Sequence, residues 1–113
     1  MFTTSLNNGG HGALVESYEN NASWYRIYSD GWCEQGGTET PTNTIPLDIN
    51  LLKTMKDTNY HAIGSFYLTV ATGAFSYYYG QIANMTTSSF QIRSIKANDN
   101  CTGVSWEVKG YIS

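Results

Sequence analysis

Positive charge is scarce in this sequence. Six Lys and Arg stand against nine Asp and Glu in 113 residues, for a net charge of −3. No two of the six are adjacent, so there is no basic run, and a nucleic-acid role lacks its electrostatic footprint. Charged residues of both signs reach only 13%, about half the usual globular share. Thr, Ser and Asn fill the gap and give a neutral hydrogen-bonding surface of the kind extracellular or particle-exposed β proteins carry. No apolar stretch approaches the length of a spanning segment, so membrane insertion is not expected. The opening MFTTSLNNGGHG has neither the basic nor the apolar region of a secretory signal, and residues 1–12 are read as a flexible segment. His11 and His61 fall in no H-x-H, H-E-x-x-H or C-x-x-C pattern, so no metal and no cofactor is expected. Cysteine is scarce too. Cys33 and Cys101 allow one bridge, but a pair carries no spacing information. Two buried free thiols are preferred, because free Cys packs as a small hydrophobe.

Hydrophobic residues are 41% of the chain, and its length is that of one domain, placed at residues 13–113. Helical spacing is nearly absent. Leu47, Leu51, Leu52 and Met55 offer some, but Ile45, Leu47, Ile49 and Leu51 also alternate, so a strand to about Leu51 followed by a loop or a short helical turn is expected. Elsewhere alternation dominates: ALVESYE, WYRIYS, WCEQGG, YHAIGSFYLTVA with Gly64 as a possible bulge, FSYYYGQIA, SFQIRSIKA and VSWEVKGYI. Some eight strands at roughly ten-residue spacing predict an all-β, antiparallel β-sandwich.

The densest stretch is SWYRIYSDGWCEQGG, Ser23 to Gly37. Asp30-Gly31 is a strong hairpin signal. A two-residue loop there pairs Tyr28 with Cys33, Ile27 with Glu34 and Arg26 with Gln35. Trp24, Arg26, Tyr28, Cys33 and Gln35 then share one face, and Tyr25, Ile27, Trp32 and Glu34 the other. With aromatics on both faces, the ribbon would have no solvated side. It would lie at the centre of a two-layer stack or against another chain. Cross-strand packing is the plainer role for Trp24 and Trp32, ahead of a ligand platform.

Enzyme chemistry finds little support, and none is expected. Glycoside hydrolysis needs two carboxylates about 5–9 Å apart across a cleft, and only Glu16 and Glu34, on neighbouring strands, qualify. A Cys–His nucleophile would need a thiol at a site that lowers its pKa, whereas Cys33 lies on a strand. Binding is the better prospect. AFSYYYGQIANMTT mixes rings with amides and hydroxyls, the combination that stacks on sugar faces and takes their hydroxyls. Tyr77, Tyr78, Tyr79 and Asn84 are candidate contacts, as are Asn98 and Asn100 in NDNCTG; the loops TTSS and EQGGTETPTNT are further candidates. Packing of all three tyrosines at the core or a subunit seam is the alternative.

WYRIYSDGWCEQGG resembles a signature of the C-terminal domains of bacteriophage and prophage tail-fibre proteins. ALVESYENNASWYR resembles the strand leading into it, TIPLDINLLKTMKDTNYHAIGS the strand, loop and strand after it, and VSWEVKGYIS the Trp-containing last strand, so the likeness runs from Ala13 to Ser113. It implies a β-sandwich knob at the tip of a virion tail fibre, a parallel homotrimer touching the bacterial surface, with a glycan or surface protein as receptor. Residues 1–12 would be the fibre-side linker. Trp24, Tyr25, Arg26, Tyr28, Trp32, Glu34, Gln35 and Trp106 would form the core and trimer signature. Two other readings remain: a lectin-like module of a secreted bacterial protein, and a purely structural fibre domain.

Overall fold

A computed structural model describes residues 10–39, 47–67, 80–94 and 103–113. Among these residues eight strands form two antiparallel sheets: β1 (Leu14–Glu19), β2 (Ser23–Tyr28), β3 (Trp32–Glu39), β4 (Leu47–Asn50), β5 (His61–Tyr67), β6 (Gly80–Ala83), β7 (Ser89–Ser94) and β8 (Gly103–Tyr111). The large sheet runs β1-β2-β3-β8-β5, and the small one β4-β7-β6. The sandwich expected from alternation is the fold found. The 47–51 region ends as a strand at Asn50 and continues as an irregular segment, as its double pattern predicted.

The core lies between the sheets. Ile49, Phe90 and Ile92 of the small sheet meet Val104, Trp106 and Val108 of β8, with Met55 and Tyr60 closing one end. Trp106 meets Phe90 edge-on, with ring centroids 6.0 Å apart. Gly64 is not a bulge: it pairs regularly with Trp106. Its missing side chain is what lets the sheets approach, since a Cβ there would stand 2.5 Å from Ile92 Cδ1.

The hairpin is tighter in sequence and wider in loop than Asp30-Gly31 suggests. Gly31 N–H donates to Tyr28 O at 2.9 Å, and Gly31 has φ +90°. Ser29, Asp30 and Gly31 therefore form a three-residue loop, a turn closed by a left-handed glycine. Ile27 consequently pairs with Cys33, Arg26 with Glu34 and Tyr25 with Gln35. This corrects the expected register by one residue, and a one-residue slip moves every side chain of the slipped strand to the other face. Trp24, Arg26, Tyr28, Trp32 and Glu34 share the outer face. Tyr25, Ile27, Cys33 and Gln35 share the inner one, where Ile27, Cys33 and Gln35 are buried. The ribbon therefore has one core face and one half-exposed face, rather than two faces needing cover.

Gln35 ties the irregular segment to the sheet. Its Oε1 accepts from Leu52 N–H (2.8 Å) and Lys53 N–H (3.0 Å), while Nε2 donates to Lys53 O (2.9 Å) and approaches Met55 Sδ at 3.3 Å. A fully buried amide that satisfies three backbone groups replaces the pairing that a strand would have supplied.

The two ends of the sandwich differ. At one end His11 stacks on Trp32 and Ile112 N–H donates to Gly31 O, so both described chain ends gather beside the Asp30 turn. At the other end the chain leaves β3 at Glu39 and β5 at Tyr67 and enters β8 at Gly103; these positions pair in one neighbourhood of the sheet. These strand ends mark the end of the large sheet opposite the termini.

Candidate functional site

The outer face of the large sheet is ordered in cross-strand rows. One row reads Glu19, Trp24, Gly36, Glu107, Ile63 across five strands. The next, toward the termini, reads Ser17, Arg26, Glu34, Lys109, His61. Beyond it Trp32 pairs with Tyr111, meeting it edge-on at 5.1 Å, and His11 lies parallel on Trp32 at 4.2 Å with Nδ1 2.8 Å from Asp30 Oδ2. Burial alone would raise the Asp30 carboxyl, but hydrogen bonds from Trp32 N–H and from His11 outweigh it and hold Asp30 below its ordinary value.

Gly36 gives the first row its shape. A Cβ at Gly36 would stand 2.7 Å from Trp106 O and 2.9 Å from Trp24 Cζ2, so the bare backbone is a floor over which the indole leans. Arg26 sits above that indole, 4.8 Å from the ring centroid. Gly37 plays the matching role inside: a Cβ there would meet Ala22 O at 2.6 Å, where the β1–β2 turn tucks in, and Trp106 Nε1 at 3.2 Å. The result is a groove of about 390 Å³ at the end opposite the termini, bordered by Trp24, Ile63, Glu19, Glu107 and the Asn20-Asn21 turn. Its volume falls within the range of small-molecule sites. A second hollow of about 290 Å³, nearer the termini, lies between Trp32, Tyr111, His61 and Lys56.

Other expected residues take structural places. Trp106 is buried on the inner face. Tyr25 donates to Glu16 (2.5 Å), which also holds Lys53 at 3.1 Å, and the ammonium lies 4.7 Å from the Tyr25 ring centroid. The Tyr25 hydroxyl, followed by Lys53, holds the Glu16 carboxyl below its ordinary 4.5. A depressed carboxyl contributes fully above its unfolded value and loses that contribution as pH falls through the folded one. Stability is therefore expected to decline below about pH 4.5 partly through Glu16, and thermal melts of Glu16→Gln should show a shallower acid decline than the parent; an identical decline would rule the triad out as a contributor. Glu16 and Glu34 point to opposite faces of the sheet and cannot flank one cleft, which removes the carboxylate pair considered for glycoside hydrolysis.

Cys33 is a free, fully buried thiol, and burial pushes it up to about 11. It is inert packing rather than a nucleophile. In a Cys101→Ser variant, Cys33 is expected to resist an aromatic disulfide reagent at pH 8 until urea unfolds the domain; rapid reaction of the native protein would contradict the burial.

Asn84 lies on the small sheet's hairpin in a left-handed conformation (φ 51°), and its amide donates to Gln91 Oε1 at 2.6 Å. The TTSS turn spends its groups internally: Thr86 Oγ1 accepts from Ser88 and Ser89 N–H, and the Tyr60 hydroxyl reaches Thr86 O and Ser89 O. Tyr77, Tyr78, Tyr79, Asn98, Asn100 and Cys101 lie outside the described residues, as do residues 40–44 of EQGGTETPTNT, whose first six residues belong to β3 rather than to a loop. The structure brings Trp24 into the groove. The sequence reading missed Glu19, Ile63 and Glu107. The available signal for Glu107 was its alternation with Trp106 and Val108, which puts it on the opposite face of β8; Ile63, alone among polar outward neighbours, gave none.

No family model matches the chain, and no curated protein matches it. Among solved structures it is similar to the C-terminal part of a P. aeruginosa R2 pyocin fibre (TM-score 0.65, 19% identity, covering 96% of this chain and 29% of that one). It is also similar to an N-truncated R2-type pyocin tail fibre (TM-score 0.60, 20% identity, 96% of this chain and 43% of that one). The chain thus has the fold of part of a pyocin tail fibre, and spans less than half the length of either structure it matches.

Proposed function

We propose that this domain belongs to the tail fibre of a phage or phage-like particle, that it stands at the fibre's tip, and that it attaches the particle to a glycan on the bacterial surface as a homotrimer, without catalysing a reaction. The observation that carries this reading is the fold shared with tail-fibre structures over 96% of the chain. The polarity of the domain supports it: the described chain ends at one end suit attachment to a shaft, and the groove at the other suits contact with a surface.

The need for companions arises at β1. All six residues of this edge strand are exposed, among them Leu14 at 48% and Val15 at 60%. The register slips between Leu14 and Glu16, and this bulge, with Glu16 and Glu19, discourages open-ended strand addition. Apolar side chains on an edge blunted in this way suit a closed ring of copies, packed side by side near the termini where three shafts would meet.

The test is retention of the labelled domain on a panel of intact bacteria, before and after periodate oxidation of surface polysaccharide. Saturable binding to some strains, lost on oxidation, is expected. Binding to none, or binding indifferent to oxidation, would overturn the attachment reading or its glycan half respectively.

A further inference from the structure

We propose that the groove over Gly36 takes an uncharged, hydroxyl-rich pyranose segment and rejects acidic sugars; this rests on the reading of the domain as a glycan-attachment module. Three features of the lining point the same way.

First, the groove has an apolar side. The Trp24 indole borders it, and Ile63, which is 66% exposed, stands across the row from it. Isoleucine that open on a strand has no role in the domain's own core, and the apolar face of a sugar ring is the kind of surface that would cover it.

Second, the charged groups of the lining among the described residues are both carboxylates, Glu19 and Glu107, at the two sides of the Gly36 floor. Ionised carboxylates only accept hydrogen bonds, so the ligand must bring donors, and vicinal hydroxyls bring them in pairs. Three strand steps separate the two acids, roughly 14 Å at the usual spacing. They therefore grip different parts of a ligand rather than flank one bond, which agrees with binding and not hydrolysis.

Third, no Lys, Arg or His borders the groove among the described residues. The cations nearest in the sheet are engaged: Lys109 is 3.3 Å from Glu107, and Arg26 is seated on the Trp24 ring. A uronate or phosphate in this groove would face Glu19 and a Glu107 already paired with Lys109, with no further cation among the described lining residues, whereas the Ser65, Ser105 and Thr38 side chains complete a neutral polar wall. The second hollow, lined by Lys56, Lys109 and His61 with Asp57 as its carboxylate, is the less acidic of the two.

The experiment uses the whole chain on an array of neutral hexose oligosaccharides and matched oligosaccharides in which one hexose is replaced by its uronic acid. At least one neutral series should bind, with its acidic counterpart at least tenfold weaker. Glu107→Gln should narrow that gap, because it removes repulsion while keeping an acceptor. Trp24→Ala should abolish binding, and Ile63→Glu should weaken the neutral series at least tenfold; at so exposed a position it leaves the fold intact, which separates loss of binding from loss of structure. Acidic members binding as well as neutral ones, or Ile63→Glu without effect, would overturn the proposal. The same variants are scored on intact bacteria. Cell binding that survives Trp24→Ala and Ile63→Glu sinks the groove alone, whereas a parent chain that binds neither cells nor array sinks the attachment reading with it.

Discussion

Gln35→Leu is expected to cost about 3 kcal/mol of stability, the largest loss of any single substitution that nearly conserves volume. The leucine would fit the space and gain some transfer energy, but it would leave Leu52 N–H, Lys53 N–H and Lys53 O without the partners they have now. Each buried backbone group so orphaned costs about 1–3 kcal/mol, less where water reaches it. Against a total of about 5–15 kcal/mol for a domain of this size, the change is severe. Urea titration of parent and variant checks it. A midpoint shift worth under 1 kcal/mol, at unchanged slope, would mean that the segment after β4 is held by Met55 and Tyr60 packing rather than by the amide. Because Gln35 faces inward, the substitution should leave the groove lining unchanged where the domain remains folded.

Val15→Asp is expected to leave each subunit folded and to reduce retention on bacteria by about a hundredfold. Val15 is 60% exposed at the β1 bulge, so the fold loses little. In a closed three-fold seam the same change places three carboxylates in an apolar contact, and ions buried without partners are strongly disfavoured. Shallow single-site sugar affinities are about millimolar. Linking three sites multiplies retention by roughly 10² or more, and that multiplication is what dissociation removes. The groove lies at the other end of the sheet, so glycan affinity measured per subunit on dilute soluble ligand should not change. Retention equal to the parent's would place the seam elsewhere or remove it.

These two residues also show what could be read from the chain and what could not. Alternation exposed the strands, and the sandwich followed from their number and spacing. The register of the signature hairpin did not follow. Asp30-Gly31 satisfies a two-residue loop as well as the last two positions of a three-residue one, and the choice reassigns Cys33 and Gln35 against Trp24 and Arg26. A signal existed: only the three-residue loop sets Arg26 opposite Glu34, a charge pair across the strands. With that register the aromatic excess of the ribbon becomes a core face plus a half-exposed face, and the exposed apolar side chains stand on β1, a strand that looked ordinary in sequence. Gln35 was visible as part of a signature, but its task depends on a segment 17 residues away in the chain that is irregular and so has no periodicity to detect. The glycines of EQGG carry no pattern of their own either. Gly36 matters because Trp24 crosses above it, and Gly37 because the β1–β2 turn comes in below, which are facts of tertiary approach. The groove joins residues from β1 to β5, and no local window contains them.

The most direct test is the mass of the unmodified domain in native buffer, by light scattering or native mass spectrometry at micromolar concentration. A single species at three times the chain's 12.5 kDa is the expected result, reverting to one chain in Val15→Asp. A monodisperse single chain, with Leu14 and Val15 open to water at every concentration, would contradict it.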